Sequence, residues 1–583
     1  MWGTEVRRSD GPVPFLVYEP RPRRVTELLD DAARWAGRDH LVQGSRRVTF
    51  AQLAAAADRA AARLRDRGLG TGDRLLLLAG NSPDWVITLW AGLRLGAVVA
   101  PGNRWWSAEE LAHAIALVRP AVIVSDPRMT RFLPNGSDAT LVLTDDVRAW
   151  SESESDPGLV PEVTAGTGGE EARAPAPRVP ALTGGEDDPA LIIFTAGTTG
   201  LAKAAVLAHR SVIANLHNLL LVSNRLPHQL DPGRPPEVML LSGPLFHIGG
   251  VQALLLALVG GNTVVFLDGR FDPTQVLDVI ERERVTVWGA VPTMVTRVLE
   301  DPSLPGRDLS AVRSISLGGS PVTPELTERL RAAFPSVRRG VSTVYGMTEA
   351  GGTVAAASGA TMAEHPQTSG RPMPVVELRI EAQDDAPGTS TPTPVGDPDA
   401  TNTGEIVVRT PSQMLGYWAD AAPGTIDADG WLHTGDLGYI DDGLLYVTGR
   451  AKDVIIRGGE NIAAAHVEEV LHRHPAVAAV AVVGLPDPDF GEIVGAVVQP
   501  RGPVTVAELT DFAAGSLGRF QVPARWWLHP DPLPMTDAGK ADKRTLRATW
   551  LAAGSAAESP GSASASPGSV AVAPGSSAAP PAV

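Results

Sequence analysis

Three short runs, residues 75–79, 97–100 and 121–124, are apolar at every position. A strand with one wet face would alternate, so these read as strands covered on both sides. Helical stretches lie between them. Ser82-Pro83 gives the first stretch a capping hydroxyl and a proline at its first helical position. Ser107-Ala108-Glu109-Glu110 opens the second as a capping box. Strands that alternate with helices run parallel, with the helices on the sheet faces. The expected fold class is α/β.

Helical spacing also covers residues 25–35, 49–67 and 211–221. Further strands are expected at 191–194, 238–241, 264–267, 285–287 and 314–317, and Thr323-Pro324 starts another helix. Residues 1–25 are rich in arginine and proline and read as a loose arm. Residues 151–188 and 381–403 lack periodicity and read as a linker and a surface insertion. Gly404 begins a β-rich region that runs to 449, so residues 26–449 form one large domain of layered sheets plus this small β-region. Residues 453–552 suit a small separate α+β domain. Residues 553–583 are almost wholly Ala, Ser, Pro, Gly and Val and read as a disordered tail.

At 583 residues, 44% apolar and 20% charged, the chain can bury a sizeable core. A net charge of -16 argues against nucleic acid or an acidic membrane as the main partner. The absence of cysteine excludes disulfides, a thiol nucleophile and thiolate-held metal. No apolar run suits a signal peptide or a membrane span, and a cytoplasmic protein is expected.

Six stretches carry chemistry. The 191–194 strand feeds Thr195-Ala196-Gly197-Thr198-Thr199-Gly200-Leu201-Ala202-Lys203. Its glycines let backbone N–H groups approach phosphate oxygens, its hydroxyls donate, and Lys203 adds charge. The spacing is not that of a Walker A loop. Tyr345-Gly346-Met347-Thr348-Glu349 sets a ring for a base, a hydroxyl for phosphate and a carboxylate for Mg²⁺ close together. In Thr434-Gly435-Asp436 an aspartate on a tight turn can accept both hydroxyls of a ribose. The others are Gly449-Arg450-Ala451-Lys452-Asp453, Gly458-Gly459-Glu460-Asn461-Ile462 and Pro534-Met535-Thr536-Asp537-Ala538-Gly539-Lys540.

In this order and spacing, from about residue 30 to 545, the six stretches resemble the adenylate-forming superfamily of acyl-CoA synthetases, peptide-synthetase adenylation domains and firefly-luciferase-like enzymes. The resemblance implies a carboxylic acid activated with MgATP to acyl-AMP, then transferred to CoA. It implies that Thr195, Thr198, Thr199, Gly200 and Lys203 handle the β- and γ-phosphates. Thr348 contacts the α-phosphate, and Glu349 is the Mg²⁺ ligand. Tyr345 lies against adenine, with Gly319, Ser320 and Pro321 on the other side and Gly346 and Met347 alongside. Asp436 and Arg450 bind the ribose. Lys452 is the hinge, at 450–452, for a mobile C-terminal domain that brings Lys540 to the reacting groups. Gly458 and Gly459 lie at the CoA face. His247, Gly289, Val291, Gly318, Gly346 and Thr353 line the acyl pocket.

No cation is conspicuous in that lining. A fatty acid is the expected substrate, with an aromatic acid or a separate carrier protein as alternative substrate and acceptor. Ala196 and Ala202 replace the serine and proline usual in the loop. Residues 463–466 read Ala-Ala-Ala-His, where many relatives have proline and glutamate. His466, Glu468 and Glu469 read as a solvated helix face, and Trp105-Trp106 and Trp526-Trp527 as packing residues.

Overall fold

The computed structural model describes residues 2–134, 138–153, 184–195, 202–231, 233–317, 324–337, 341–365, 367–381, 403–450, 453–457, 460–487, 490–536 and 540–557. The chain divides into two compact units, 1–379 with 407–434 and 442–445, and 380–406 with 435–441 and 446–583.

The first unit is built on two sheets, parallel in the middle and antiparallel at one edge of the first and at both edges of the second. One runs Gly416–Tyr417, Lys203–Ala208, Pro189–Thr195, Val98–Pro101, Arg74–Leu78, Val122–Ser125, Thr140–Leu143. The other runs Arg371–Pro372, Gly352–Ala357, Val341–Met347, Ser314–Leu317, Val287–Ala290, Val238–Leu241, Thr263–Phe266, Asp39–Gln43, Arg46–Thr49. Val98–Pro101 and Val122–Ser125 are buried at every position, as continuous apolar runs require.

Helix Pro83–Arg94 is buried on every face, capped by Ser82 with a proline at its start. It touches Arg74–Leu78 and Val98–Pro101 of one sheet and Asp39–Gln43 of the other, so it fills the space between them. His209–Val222 is a second such layer, touching Pro189–Thr195, Lys203–Ala208 and Gly352–Ala357. It buries polar residues, His209, Arg210, Ser211, Asn215, His217 and Asn218 among them. Each must find a partner, so the helix acts as a hub for the loops around it.

Residues 1–25 were expected to be a loose arm, but they contain a hairpin of Glu5–Arg8 against Leu16–Glu19. Polar contacts hold it to the hub. The Tyr18 hydroxyl donates to Asn218 Oδ1 at 2.7 Å, and His217 Nε2 lies 2.8 Å from the Gly3 carbonyl. Trp2, Val17 and Tyr18 are buried. These and buried Phe15 make no periodic pattern, which is why sequence spacing missed the hairpin.

In the second unit, the order is Glu460–Ala463, Val454–Arg457, Gly491–Pro500, Val477–Asp487, with Arg525–Leu528 also beside Gly491–Pro500. Helices Ala464–His472 and Val506–Ala514 close a core containing Val467, Leu509 and Trp526. Helix Lys543–Ala557 extends through 553–557, which were expected to belong to the disordered tail, because alanines continue a helix readily. The rest of that tail, most of the 151–188 linker and most of the 381–403 insertion lie outside the described residues.

Candidate active site

Thr195 and Lys203 are direct cross-strand partners at the ends of Pro189–Thr195 and Lys203–Ala208. Thr198, Thr199 and Gly200, between them, lie outside the described residues, but both ends of the loop are placed. Gly416–Tyr417 pairs on the far side of Lys203–Ala208, with Tyr417 opposite Ala205. Side chains alternate along a strand, so Tyr417, Lys203 and Thr195 share one face of the sheet. Lys203 Nζ sits 5.0 Å from the centre of the Tyr417 ring, a diagonal cation–π contact.

The Tyr417 hydroxyl donates to Glu349 Oε1 at 2.6 Å. Burial, and then the Glu349 carboxylate, raise the phenol's pKa far above its ordinary value, while the Thr195 hydroxyl acts in the opposite direction. Tyr417 is therefore a proton-bearing donor at neutral pH. Sequence reasoning missed this residue. Gly416-Tyr417 carries no motif, and its carboxylate partner is 68 positions away.

Tyr345, Gly346 and Met347 end the strand Val341–Met347, which pairs with Gly352–Ala357. The register slips between Tyr345 and Gly346. There the backbones come so close that a Cβ on Gly346 would lie 2.0 Å from the Gly352 carbonyl oxygen. Thr348 and Glu349 begin the connecting turn, which is held from two sides. Asn215 Nδ2 donates to the Gly351 carbonyl at 2.7 Å. Ser412 Oγ donates to the Ala350 carbonyl and Met414 N to the Glu349 carbonyl, both at 2.8 Å. The carboxylate thus stands on a fixed backbone.

His247 precedes helix Ile248–Gly260 and lies against Phe246, ring centres 4.6 Å apart. Phe246 meets the half-exposed Trp105 edge-on at 5.5 Å. Burial lowers the His247 pKa to about 4, so its ring is neutral near pH 7. Gly289 ends the strand at its neighbour Ala290, and Val291 precedes helix Pro292–Leu299. A Cβ on Gly243, Gly249 or Gly289 would meet nothing within 4 Å, so all three adjoin open space. Gly346 and Thr353 are cross-strand partners. Gly318, Gly319, Ser320 and Pro321 lie outside the described residues.

Within the second unit, buried Asp436 pairs with Arg450, Oδ1 to Nε at 3.0 Å. Lys540 is exposed on a turn closed by its own backbone. Thr536 N donates to the Lys540 carbonyl at 2.6 Å, and Lys540 N donates to Thr536 Oγ1 at 3.3 Å. Lys452, Gly458 and Gly459 lie outside the described residues. Glu468, expected on a solvated face, is instead largely buried. It accepts from Val482 N and from Lys543 Nζ at 2.8 Å, because Ala464–His472 turns that side toward the chain that follows Lys540. Arg457 lies between two half-exposed rings, 5.4 Å from the centre of Phe490 and 5.8 Å from that of Phe520. Neither phenylalanine stood in a motif, so sequence reasoning missed this cluster as well.

Among the described residues no three His, Cys, Asp or Glu side chains gather as a metal cage. Mg²⁺ fits such a site, since it keeps waters and takes one or two carboxylates together with phosphate oxygens. Glu349, on its fixed backbone and bonded to the Tyr417 hydroxyl, is a carboxylate of that kind.

The AMP-binding enzyme family model matches residues 28–418, and that of the AMP-binding enzyme C-terminal domain matches 466–540. A feruloyl-CoA synthase from Amycolatopsis sp is 34% identical over 86% of this chain and 94% of its own length. A fatty acid–[acyl-carrier-protein] ligase, ScoC, from Streptomyces coeruleorubidus is 31% identical over 86% and 91%. Among solved structures, O-succinylbenzoate coenzyme A synthetase from Bacillus subtilis with ATP and magnesium superposes with a TM-score of 0.73 and 28% identity, covering 90% of this chain and all of that one. The chain belongs to the AMP-binding enzyme family. It is an AMP-forming acid–CoA ligase, and its reaction uses ATP, Mg²⁺ and CoA. Among the described residues no helix is long and apolar enough to cross a membrane.

Proposed function

We propose that this ligase activates an apolar monocarboxylic acid, a fatty acid first, and passes the acyl group to CoA. The observation that carries the reading is the set Thr195, Lys203, Tyr417 and Glu349, in which Thr195 and Lys203 are cross-strand partners, the Lys203 ammonium lies over the Tyr417 ring, and the Tyr417 hydroxyl donates to the Glu349 carboxylate. Polyphosphate with its divalent cation needs donors and a carboxylate together.

In this reading Thr195, Thr198, Thr199, Gly200 and Lys203 bind the β- and γ-phosphates, and Thr348 the α-phosphate. Glu349 ligates Mg²⁺, which offsets charge on the phosphates. Tyr345, Gly346 and Met347, with Gly319, Ser320 and Pro321, hold adenine. Asp436 and Arg450 hold the ribose, and Lys452 is the hinge. Lys540 offsets the repulsion when the acid's carboxylate oxygen attacks the α-phosphorus and the bond to the bridging oxygen breaks, releasing pyrophosphate. The CoA thiol, losing its proton, then attacks the acyl carbonyl and AMP leaves. Gly458 and Gly459 lie on the thioester-forming face, and Arg457 between Phe490 and Phe520 offers a cation and two rings to the nucleotide end of CoA.

For the acid, a neutral His247 and three glycines beside open space support an uncharged chain. A second reading, an aromatic acid, is supported by the rings of Trp105, Phe246 and His247 and by the likeness to feruloyl-CoA synthase. Transfer to a carrier protein is supported by the likeness to ScoC alone. We propose the cytoplasm as compartment on the cysteine-free composition. A panel of fatty and aromatic acids with ATP and CoA, read by mass spectrometry, tests the reading. Fatty acyl-CoA as the main product is expected. Aromatic acyl-CoA alone would overturn the fatty-acid choice, and no acid-dependent pyrophosphate exchange would overturn the whole reading.

A further inference from the structure

Tyr417 touches two parts of the site at once, and none of the six motifs contains it. Its strand lies beside Lys203–Ala208, so the same pleat that sets Thr195 against Lys203 aims Tyr417 across that strand. Its ring faces the Lys203 ammonium at 5.0 Å. Its hydroxyl is committed to Glu349 Oε1 at 2.6 Å. The backbone just before it is tied down. Leu415 N donates to the Val206 carbonyl, and Met414 N to the Glu349 carbonyl, each at 2.8 Å. Tyr417 therefore cannot shift without moving both the strand that follows the phosphate loop and the turn that carries Glu349.

We propose that Tyr417 is the positioning residue that couples the metal-binding carboxylate of Glu349 to Lys203, the cation that follows the phosphate loop. This rests on the reading of Glu349 as the Mg²⁺ ligand and Lys203 as a phosphate contact. The hydroxyl and the ring have separate tasks. The hydroxyl holds Oε1, so Glu349 is fixed in one rotamer and presents its other oxygen to the cation. A carboxylate fixed before the metal arrives loses little freedom on binding it. The ring gives the Lys203 side chain an apolar, electron-rich face to rest on, so its ammonium is held over the sheet instead of sampling solvent. A phenylalanine would keep the second task and lose the first. A leucine would lose both.

The test uses the full-length enzyme and three single variants, Tyr417→Phe, Tyr417→Leu and Glu349→Gln. ATP binding is measured by calorimetry across a Mg²⁺ titration and again in EDTA, and the Mg²⁺ needed for half-maximal pyrophosphate exchange is measured alongside. Loss of a group that orients a metal ligand typically weakens metal use about 10–100-fold. Tyr417→Phe is expected to raise the half-saturating Mg²⁺ concentration by about tenfold or more and to reduce the ratio of ATP affinity with Mg²⁺ to that without. Excess Mg²⁺ is expected to restore turnover. Tyr417→Leu is expected to weaken ATP in EDTA as well, more than it weakens AMP, because AMP lacks the phosphates that Lys203 meets. In the double variant Tyr417→Phe/Glu349→Gln, the first change is expected to add nothing to the second.

If Glu349→Gln shifts the Mg²⁺ requirement and Tyr417→Phe does not, the coupling is overturned and the reading of Glu349 stands. If neither variant shifts it, that reading falls and the coupling with it. Equal ATP affinity in EDTA for the leucine and phenylalanine variants overturns the ring's task. Circular dichroism and the melting temperature report whether each variant folds. A folded variant with unchanged metal dependence counts against the proposal.

Discussion

Gly346 shows how a single hydrogen atom sets the geometry of the site. The hairpin of Val341–Met347 and Gly352–Ala357 slips register there, and the opposing carbonyl fills the place a Cβ would take. Gly346→Ala must push the two strands apart. Displaced backbone of this kind costs about 1–3 kcal/mol. We expect a lower melting temperature and weaker binding of ATP and AMP alike, since Tyr345 and Thr348 lie on either side. Unchanged affinity in a destabilised variant would show that the bulge serves the fold alone.

Lys540 gives a contrasting case, an exposed residue with a role proposed in the chemistry. Lys540→Ala is expected to slow acid-dependent pyrophosphate exchange by about 10²–10³-fold. Thioester formation from supplied acyl-AMP is expected to survive. Equal loss of both half-reactions would contradict its assignment to adenylation. The role proposed for Lys540 was readable from the sequence because the motif around it is contiguous. Tyr417 was not, because its meaning comes only from what the sheet places beside it.

At the scale of elements, helix His209–Val222 links the chain's beginning to the site. Its Tyr18 and Gly3 contacts face the N-terminal hairpin, and Asn215 faces the turn after Glu349. Asn215→Ala leaves the Gly351 carbonyl buried without its partner, a loss of about 1–3 kcal/mol. It also frees the turn that carries Glu349. The expected result is a lower melting temperature together with a raised KM for MgATP. A change in stability with MgATP kinetics untouched would sink the link to the site.

The helix itself was read from spacing, and so were the strands flanking Ser82-Pro83 and Ser107, since apolar period and capping are local signals. The polar hub and the hairpin on it were not readable. A buried histidine or asparagine looks like a surface one until its partner, some two hundred residues away, is known.

For the whole molecule, the order of layers followed from strand–helix alternation, whereas acid sensitivity follows only from what the layers bury. His40, His209, His217 and His247 all lie in the first unit, and burial lowers each pKa to about 4. In the unfolded chain they titrate near the ordinary histidine value, about 6.5. Between these values the unfolded state binds more protons, so stability rises with pH there. The contribution is whole above about pH 7 and drains away as pH falls from about 6.5 toward 4. By pH 5 each histidine has withdrawn about 2 kcal/mol. Asp308 works in a lower window. Its bonds to Ser310, and then the Arg284 guanidinium, hold it at about 2, so what it contributes is lost only as pH falls from the ordinary aspartate range toward that value. Acid unfolding should thus begin in the histidine window. Calorimetric melting from pH 7.5 to 5 is expected to show a steep fall in the first unit's transition. Replacing His209 with glutamine, which keeps a side-chain acceptor for the Val25 N–H, is expected to flatten that fall. A transition that holds its temperature down to pH 5 would mean that these rings are protonated in the folded chain.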